Sequence, residues 1–266
     1  MRKTIKRIIN IDSQFRDRFF DTNSNNFKVK LNYDLRHVVG MKLHNIQLPN
    51  TWFNVSNTYG NNKFTINGHT YTIPDGNYDS ITLVEKLDLL TSDTGLLFSE
   101  SGFKLGVDCE TGQSFFHHIS DENIQLTFSD LDERDTRNLH SFGWMLGFRK
   151  PNYNNADGHV SEGIVNFGGI NYFYLVVDDK NTHSHDIVIG NLRDSYISKN
   201  ILAIIRVNEV KYVIVNKDDY ESQKRIFLKP VRIKQLLIKL LDPWGNLIDF
   251  NNMDFSFSIE FEIEVQ

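Results

Sequence analysis

The C-terminal stretch "DFSFSIEFEIEV", residues 254–265, alternates apolar and polar residues without interruption. Because successive side chains of an extended chain point to opposite faces, this pattern predicts a β-strand with one buried face. The predicted core residues on that face are Phe255, Phe257, Ile259 and Phe261. The opposite face carries an acidic ladder made of Glu260, Glu262 and Glu264.

Other features of the chain also favour β structure. Only two alanines occur, Ala156 and Ala203, so the chain nearly lacks the best helix-forming residue. Asn67-Gly68, inside "KFTINGHTYTI", is typical of a two-residue hairpin turn. The alternation of apolar and polar residues shifts by one position near His44–Asn45 and again between Ile233 and Leu236. Each shift predicts a β-bulge.

The middle of the chain has a different pattern. Apolar periodicity predicts helices over about 80–91 and 130–146, whereas both flanks are almost purely β. We therefore predict a mainly β protein, an antiparallel jelly-roll-like β-sandwich formed by residues 1–69 and 151–266. Residues 70–150 would form an α+β insertion. The Gly- and Asn-rich stretch 149–169 would be a long surface loop that returns the chain to the sandwich.

Composition excludes several classes of protein. The formal net charge is −5 and the pI is about 6.0, which argues against nucleic acid as a general partner. No run of eighteen apolar residues is present, so no membrane span is predicted. The single cysteine, Cys109, excludes an intramolecular disulfide and fits a reducing compartment.

Candidate catalytic and metal-binding residues are few. His183 and His185 could share one strand face, but polar loop histidines usually bind no metal. Asp108 and Glu110 flank Cys109 and would raise the pKa of its thiol, which is unfavourable for a nucleophile. The sequence therefore predicts no enzyme, no metal and no cofactor.

A basic arm opens the chain and is its one asymmetric charge feature. Its isoleucines within residues 5–11 would let it dock as a strand on the acidic ladder, in the same chain or in a neighbouring subunit. The alternative is that the ladder is a solvated face that guards an edge strand against aggregation. The predicted assembly interface contains Arg2, Lys3, Lys6, Arg7, Glu260, Glu262 and Glu264.

Several stretches taken in order resemble structural proteins of nucleocytoplasmic large DNA viruses, the giant-virus group. They are "INIDSQFRDR", "VVGMKLHNIQLPNTWFNVS", "YTIPDGNYDSITLVEKL", "WMLGF" and "FLKPVRIKQLLIKLLDPWGNLIDFNNMDFSFSIEFE". The resemblance covers nearly the whole chain and brings no catalytic residues with it. It implies a virion protein with a jelly-roll core, a penton or minor capsid component.

As such a component, the chain would assemble in the host cytoplasm and reside in the virion. Its partners would be copies of itself, with a pentamer as one form, the major capsid protein and other capsid proteins. An alternative is a virion-surface module that recognises glycans or a host receptor through exposed loop aromatics. The aromatic candidates are Trp52, Tyr59, Tyr153 and Trp244.

Overall fold

The computed structural model describes residues 3–120, 123–155, 158–181, 200–207, 214–217, 220–222 and 224–265. In chain order its strands are β1 Thr4–Asp12, β2 Asn26–Pro49, β3 Lys63–Ile66, β4 His69–Thr72, β5 Phe103–Val107, β6 Gln113–His118, β7 Ile124–Thr127, β8 Asn152–Asn155, β9 His159–Ile164, β10 Tyr172–Asp178, β11 Ile201–Arg206, β12 Ile214–Lys217, β13 Tyr220–Ser222, β14 Arg225–Leu241 and β15 Ser256–Glu264. The α-helices are α1 Ser80–Asp88 and α2 Phe142–Met145.

The chain divides into two compact units. Unit 1 consists of Met1–Trp52 and Ile170–Gln266, and unit 2 consists of Phe53–Gly169. Unit 2 is therefore inserted into the sequence of unit 1. It is wider than the predicted segment 70–150, because strands on both sides of that segment pair within the sheets of unit 2.

Unit 1 is built on one antiparallel sheet of eight described strands, in the order β1-β15-β2-β14-β10-β11-β13, with β12 also paired to β2. The two longest strands, β2 and β14, each pair with more than one neighbour. β2 pairs with β15 along one edge and with β14 along the other, and the far half of β14 pairs with β10. The predicted mainly β, jelly-roll-like sandwich is confirmed, with a curled main sheet.

The long strands contain register shifts. Ser258 pairs with Asn45 and Ile259 pairs with Leu43, so His44 is the extra residue of a β-bulge, as predicted. β14 also shifts its register against β2 between Ile233 and Gln235. Such bulges increase local twist and let a strand turn from one layer into the other.

The core of unit 1 includes the apolar face of β15. Phe257, Ile259 and Phe261 are completely buried, as the period-two pattern predicts. The ring of Phe255 lies 6.0 Å from that of Phe27, which is opposite Ile238 in the pairing of β2 with β14. Leu43, Ile233 and Ile238 belong to the same core, whereas Val29 is only half-buried.

Unit 2 contains a four-stranded sheet, β4-β3-β7-β8, and a three-stranded sheet, β5-β6-β9. Its core is rich in aromatic rings, with Phe64 stacked between Tyr71 and Phe142. Asn67 and Gly68 both have positive φ in the tight turn between β3 and β4, which confirms the predicted hairpin.

The predicted surface loop over residues 149–169 is wrong. This stretch contains β8, paired with β7, and β9, paired with β6. In β9 the polar residues His159 and Ser161 point inward and are buried, while Val160 is exposed. The strand therefore inverts the usual pattern of apolar inside and polar outside, and hydrophobic periodicity does not reveal it.

The second predicted helix is also wrong over most of its length. Residues 130–146 form turns, a 3₁₀ helix over Thr136–His140 and the single turn α2. The Asp135 carboxylate accepts a hydrogen bond from the Arg137 backbone N–H, and the Ser141 hydroxyl accepts one from Trp144. Such side chains compete with helical hydrogen bonds and divide the segment into short capped turns.

Helix α1 does form, over Ser80–Asp88 instead of 80–91. Its capping box starts at Asp79, whose carboxylate accepts hydrogen bonds from the backbone N–H groups of Ile81 and Thr82.

Candidate assembly interface

The basic N-terminal arm is strand β1, and it docks on the last strand of its own chain. β1 pairs antiparallel with β15 over nine residues, from Thr4 opposite Glu264 to Asp12 opposite Ser256. β1 stands at the end of the strand order, so it forms an edge of the main sheet. The first and last strands of unit 1 are thus neighbours in one sheet.

Glu260 is the centre of the charged contacts across these strands. The Lys6 ammonium lies 3.0 Å from its carboxylate, and the Lys42 ammonium lies 3.6 Å from the same oxygen. Glu260 is only 8% exposed, so the middle of the ladder is not a solvated face. The hydrogen bond from Lys6, followed by the charge of Lys42, lowers the pKa of Glu260 although burial opposes this shift.

The other predicted residues are not all part of this contact. Glu262 pairs with Lys224, which immediately precedes β14, instead of with the arm. Arg7 is opposite Phe261 and therefore points to the other face of the sheet, where its guanidinium lies 5.2 Å from the centre of the Tyr33 ring. Adjacent residues of a strand cannot share a face, so Lys6 and Arg7 could not both reach the ladder.

The remaining predicted residues lie at the end of the β1–β15 pair. The Lys3 carbonyl accepts a hydrogen bond from the backbone N–H of Val265 at 2.9 Å. Glu264 is opposite Thr4. Arg2 lies outside the described residues. The side chains of Ile5 and Ile8 are about half exposed, at 48% and 53%, so β1 shows an apolar as well as a basic surface.

Sequence reasoning missed a second surface, the aromatic loop formed by residues 13–22 between β1 and β2. Phe15 is 81% exposed and Phe20 is 97% exposed, while Phe19 contacts Phe20 edge to face. The only signal in the sequence is three phenylalanines among charged residues in "SQFRDRFF", without the period of a strand or helix.

Arg16 holds the aromatic loop in a fixed form. Its guanidinium donates hydrogen bonds to the backbone carbonyls of Ser13, Phe19 and Thr22, at 2.7, 3.3 and 3.1 Å. It also forms an ion pair of 2.6 Å with Asp254 and lies over the Phe19 ring at 4.1 Å. The Arg16 side chain is only 8% exposed. These contacts fix the backbone of the loop, while the side chains of Phe15 and Phe20 remain exposed.

The candidate aromatic residues for glycan recognition are less accessible than the sequence suggested. Trp52 is only 2% exposed and packs against Phe173 and Phe250, so its predicted exposure is wrong. Tyr153 is half-buried, contacts Phe128 and Phe148, and donates its hydroxyl hydrogen to Glu162. These contacts occupy surfaces that a sugar ring would need.

His183 and His185 lie outside the described residues. In the described part of the chain, no three His, Cys, Asp or Glu side chains come together in a way that could hold a metal ion. No helix within the described ranges is long and apolar enough to cross a membrane.

The fold and these surfaces define a mainly antiparallel β protein with a curled, jelly-roll-like sheet. No family model and no curated protein matches the sequence. Among solved structures, the chain is similar to the mavirus penton protein at 9% identity and a TM-score of 0.44, covering 97% of this chain and 99% of that one. It is also similar to a chain in the cryo-EM structure of the Sputnik virophage, at 13% identity and a TM-score of 0.43, covering 97% of both chains.

Proposed function

We propose that this protein is a structural virion protein, a penton or minor capsid subunit that acts by assembly with copies of itself and with other capsid proteins. The observation that carries the proposal is the aromatic loop, in which Phe15 and Phe20 are 81% and 97% exposed on a base fixed by Arg16. Large exposed apolar groups on a rigid support are typical of protein–protein interfaces.

The strand arrangement also supports a structural role. The first and last strands of unit 1, β1 and β15, pair at one edge of the main sheet, and the buried Glu260 binds lysines of β1 and β2. Because these strands are paired with each other, the loops and the edge strand are the parts of unit 1 that can contact other subunits of a capsid. The major capsid protein is a proposed partner, and the virion is the proposed location after assembly in the host cytoplasm.

Quantitative mass spectrometry of purified particles tests the proposal. The protein should stay with the particles, at a fixed ratio to the major capsid protein, through density-gradient centrifugation and washing with salt. An abundant non-structural viral protein serves as the control for carry-over. Recovery of the chain only in the soluble fraction of infected cells would contradict a structural role.

A further inference from the structure

β1 is a long and regular edge strand. It runs for nine residues, from Thr4 to Asp12, and contains no proline. Its register with β15 is continuous, without a bulge, and β15 is its one neighbour among the described strands. Soluble proteins usually protect such an edge with proline, with a bulge or with charges that project past it. β1 therefore keeps a row of backbone donors and acceptors that a further strand can bind.

Hydrogen bonds at both ends of β1 show which of its backbone groups face outward. The Lys3 carbonyl accepts from the Val265 N–H, and the Ser13 N–H donates to the Phe255 carbonyl. Odd-numbered residues of β1 therefore bond β15, because alternate residues of an antiparallel strand bond to opposite sides. The N–H and C=O groups of the even-numbered residues face away from β15. These residues are Thr4, Lys6, Ile8, Asn10 and Asp12.

The two cationic side chains of β1 do not obstruct this edge. The Lys6 ammonium lies 3.0 Å from the carboxylate of Glu260, back over β15. The Arg7 guanidinium lies 5.2 Å from the centre of the Tyr33 ring. Tyr33 belongs to β2, which is on the far side of β15. Both cations are thus turned towards their own sheet and leave the outer edge of β1 open.

The sequence of β1 is complementary to itself when a second copy runs antiparallel with Ile8 opposite Ile8. In this register Thr4 is opposite Asp12, and Lys6 is opposite Asn10. Lys6 of one copy and Asp12 of the other lie diagonally on one face, the same offset that joins β1 to β15 by an ion pair. The Asp12 carboxylate forms no ion pair with any residue that the structure describes, so it can accept this lysine.

The other antiparallel registers are less favourable. Centring the pair on Arg7 or on Lys6 would place like charges directly opposite each other. Centring it on Ile9 would leave Thr4 beyond the end of the partner strand, so fewer backbone groups would bond. The register centred on Ile8 uses all the outward-facing residues and covers the side chain of Ile8, which is 53% exposed.

We propose that β1 of one copy of this chain pairs with β1 of a second copy about a two-fold axis at Ile8, which joins the two main sheets edge to edge. The inference rests on the proposed function and names the self-contact through which the subunit assembles. Because both copies use the same strand, the contact is isologous and closes as a dimer. Such a contact cannot itself generate a five-fold ring, so it favours the minor capsid component among the two proposed roles.

Disulfide crosslinking at position 8 tests the contact and its register. In a Cys109→Ser background, Ile8→Cys places two thiols at the axis, where the Cα atoms of hydrogen-bonded antiparallel residues are about 5.5 Å apart, within disulfide range. Oxidised glutathione should convert this variant into a covalent dimer. Asn10→Cys is the matched control, because its two copies would lie four strand positions apart, about 13 Å, and should stay monomeric on a non-reducing gel.

Two further substitutions weaken the contact without removing a bond to β15. Ile8→Pro removes an outward-facing N–H, which an edge strand tolerates, and Ile8→Lys places two like charges at the axis. Each should raise the dissociation constant of the dimer at least roughly tenfold in sedimentation velocity. Ile119→Lys, the same change at an isoleucine of unit 2 that is 65% exposed, should leave the constant unchanged. All variants should keep the wild-type circular dichroism spectrum.

Three results would overturn the inference. They are a wild-type chain that stays monomeric at every concentration, equal crosslinking at positions 8 and 10, and dimers that neither Ile8→Pro nor Ile8→Lys weakens. A monomeric wild type that binds purified major capsid protein, with loss of binding in the Ile8 variants, would assign the edge to that protein instead. A monomer that is a fixed component of purified particles would overturn the contact and leave the proposed function intact, whereas a dimer that is absent from particles would overturn the proposed function.

Discussion

The Lys6 ammonium lies 3.0 Å from the carboxylate of Glu260 and joins the first strand of the chain to its last. Lys6 is opposite Glu262 in the register of the strand pair, so the contact with Glu260 is diagonal. The directly opposite residue of Glu260 on the other side is Lys42 of β2. Glu260 therefore links three adjacent strands, β1, β15 and β2.

A double-mutant cycle on this pair should give a small coupling. The Lys6 side chain is 61% exposed, so Lys6→Gln and Glu260→Gln should couple by only about 0.2–1 kcal/mol in the free energy of unfolding. Urea denaturation of the four proteins measures this energy. A coupling above about 2 kcal/mol would show that the pair dominates the docking of β1.

The same carboxylate should make stability depend on pH. The pKa of Glu260 is lowered in the folded protein. Its carboxylate therefore stabilises the fold at pH values above the pKa that it has in the unfolded chain, about 4.3. This contribution is lost as pH falls through the lower folded value. The difference in unfolding free energy between wild type and Glu260→Gln should therefore shrink from pH 6 to pH 3. A constant difference over this range would contradict the linkage.

Phe257→Ala should create a cavity in the core of unit 1. The side chain is completely buried, and its loss should cost roughly 3–5 kcal/mol of unfolding free energy. Val265 belongs to the same alternating apolar series but is 41% exposed. Val265→Ala should therefore change the free energy of unfolding by no more than about 0.5 kcal/mol. A loss below about 1 kcal/mol for Phe257→Ala would mean that β15 does not face a core.

Arg16→Lys should loosen the aromatic loop without changing its charge. Lysine cannot reproduce the planar fork that reaches Asp254 and the three carbonyls. We expect a loss of about 1.5–3 kcal/mol and faster proteolysis within residues 13–22. Lys30→Gln, which removes a 3.8 Å ion pair between exposed side chains, is the control. Equal protease resistance of wild type and Arg16→Lys would show that Arg16 is not the support.

The buried pair between Arg225 and Asp179 offers a further test. Both side chains are 1% exposed, and the Arg225 guanidinium lies 2.7 Å from the Asp179 carboxylate. Asp179→Asn should destabilise unit 1 by about 3–5 kcal/mol, because it leaves a buried charge uncompensated. Asp178→Asn breaks the neighbouring pair with Lys180, whose side chain is 61% exposed, and should cost less than about 1 kcal/mol. Similar losses for both variants in chemical denaturation would refute this difference.

Local patterns in the sequence determined individual elements of both units. The alternation of β15 identified Phe257, Ile259 and Phe261 as core residues, because a strand with one buried face has an unmistakable period of two. The phase change near His44 located a bulge, and Asn67-Gly68 located a hairpin, because each depends on only a few neighbouring residues.

Only the tertiary structure decided which residues share a contact. β9 could not be recognised because distant groups satisfy its buried polar side chains: the imidazole of His159 bonds the Ile124 carbonyl, and the hydroxyl of Ser161 accepts from the Ser114 N–H. In the sequence Arg16 is one of several charged residues of "SQFRDRFF", and only folding brings Asp254 beside it. Side-chain periodicity records the burial of a segment, whereas hydrogen bonds and ion pairs between distant segments exist only once the chain has folded.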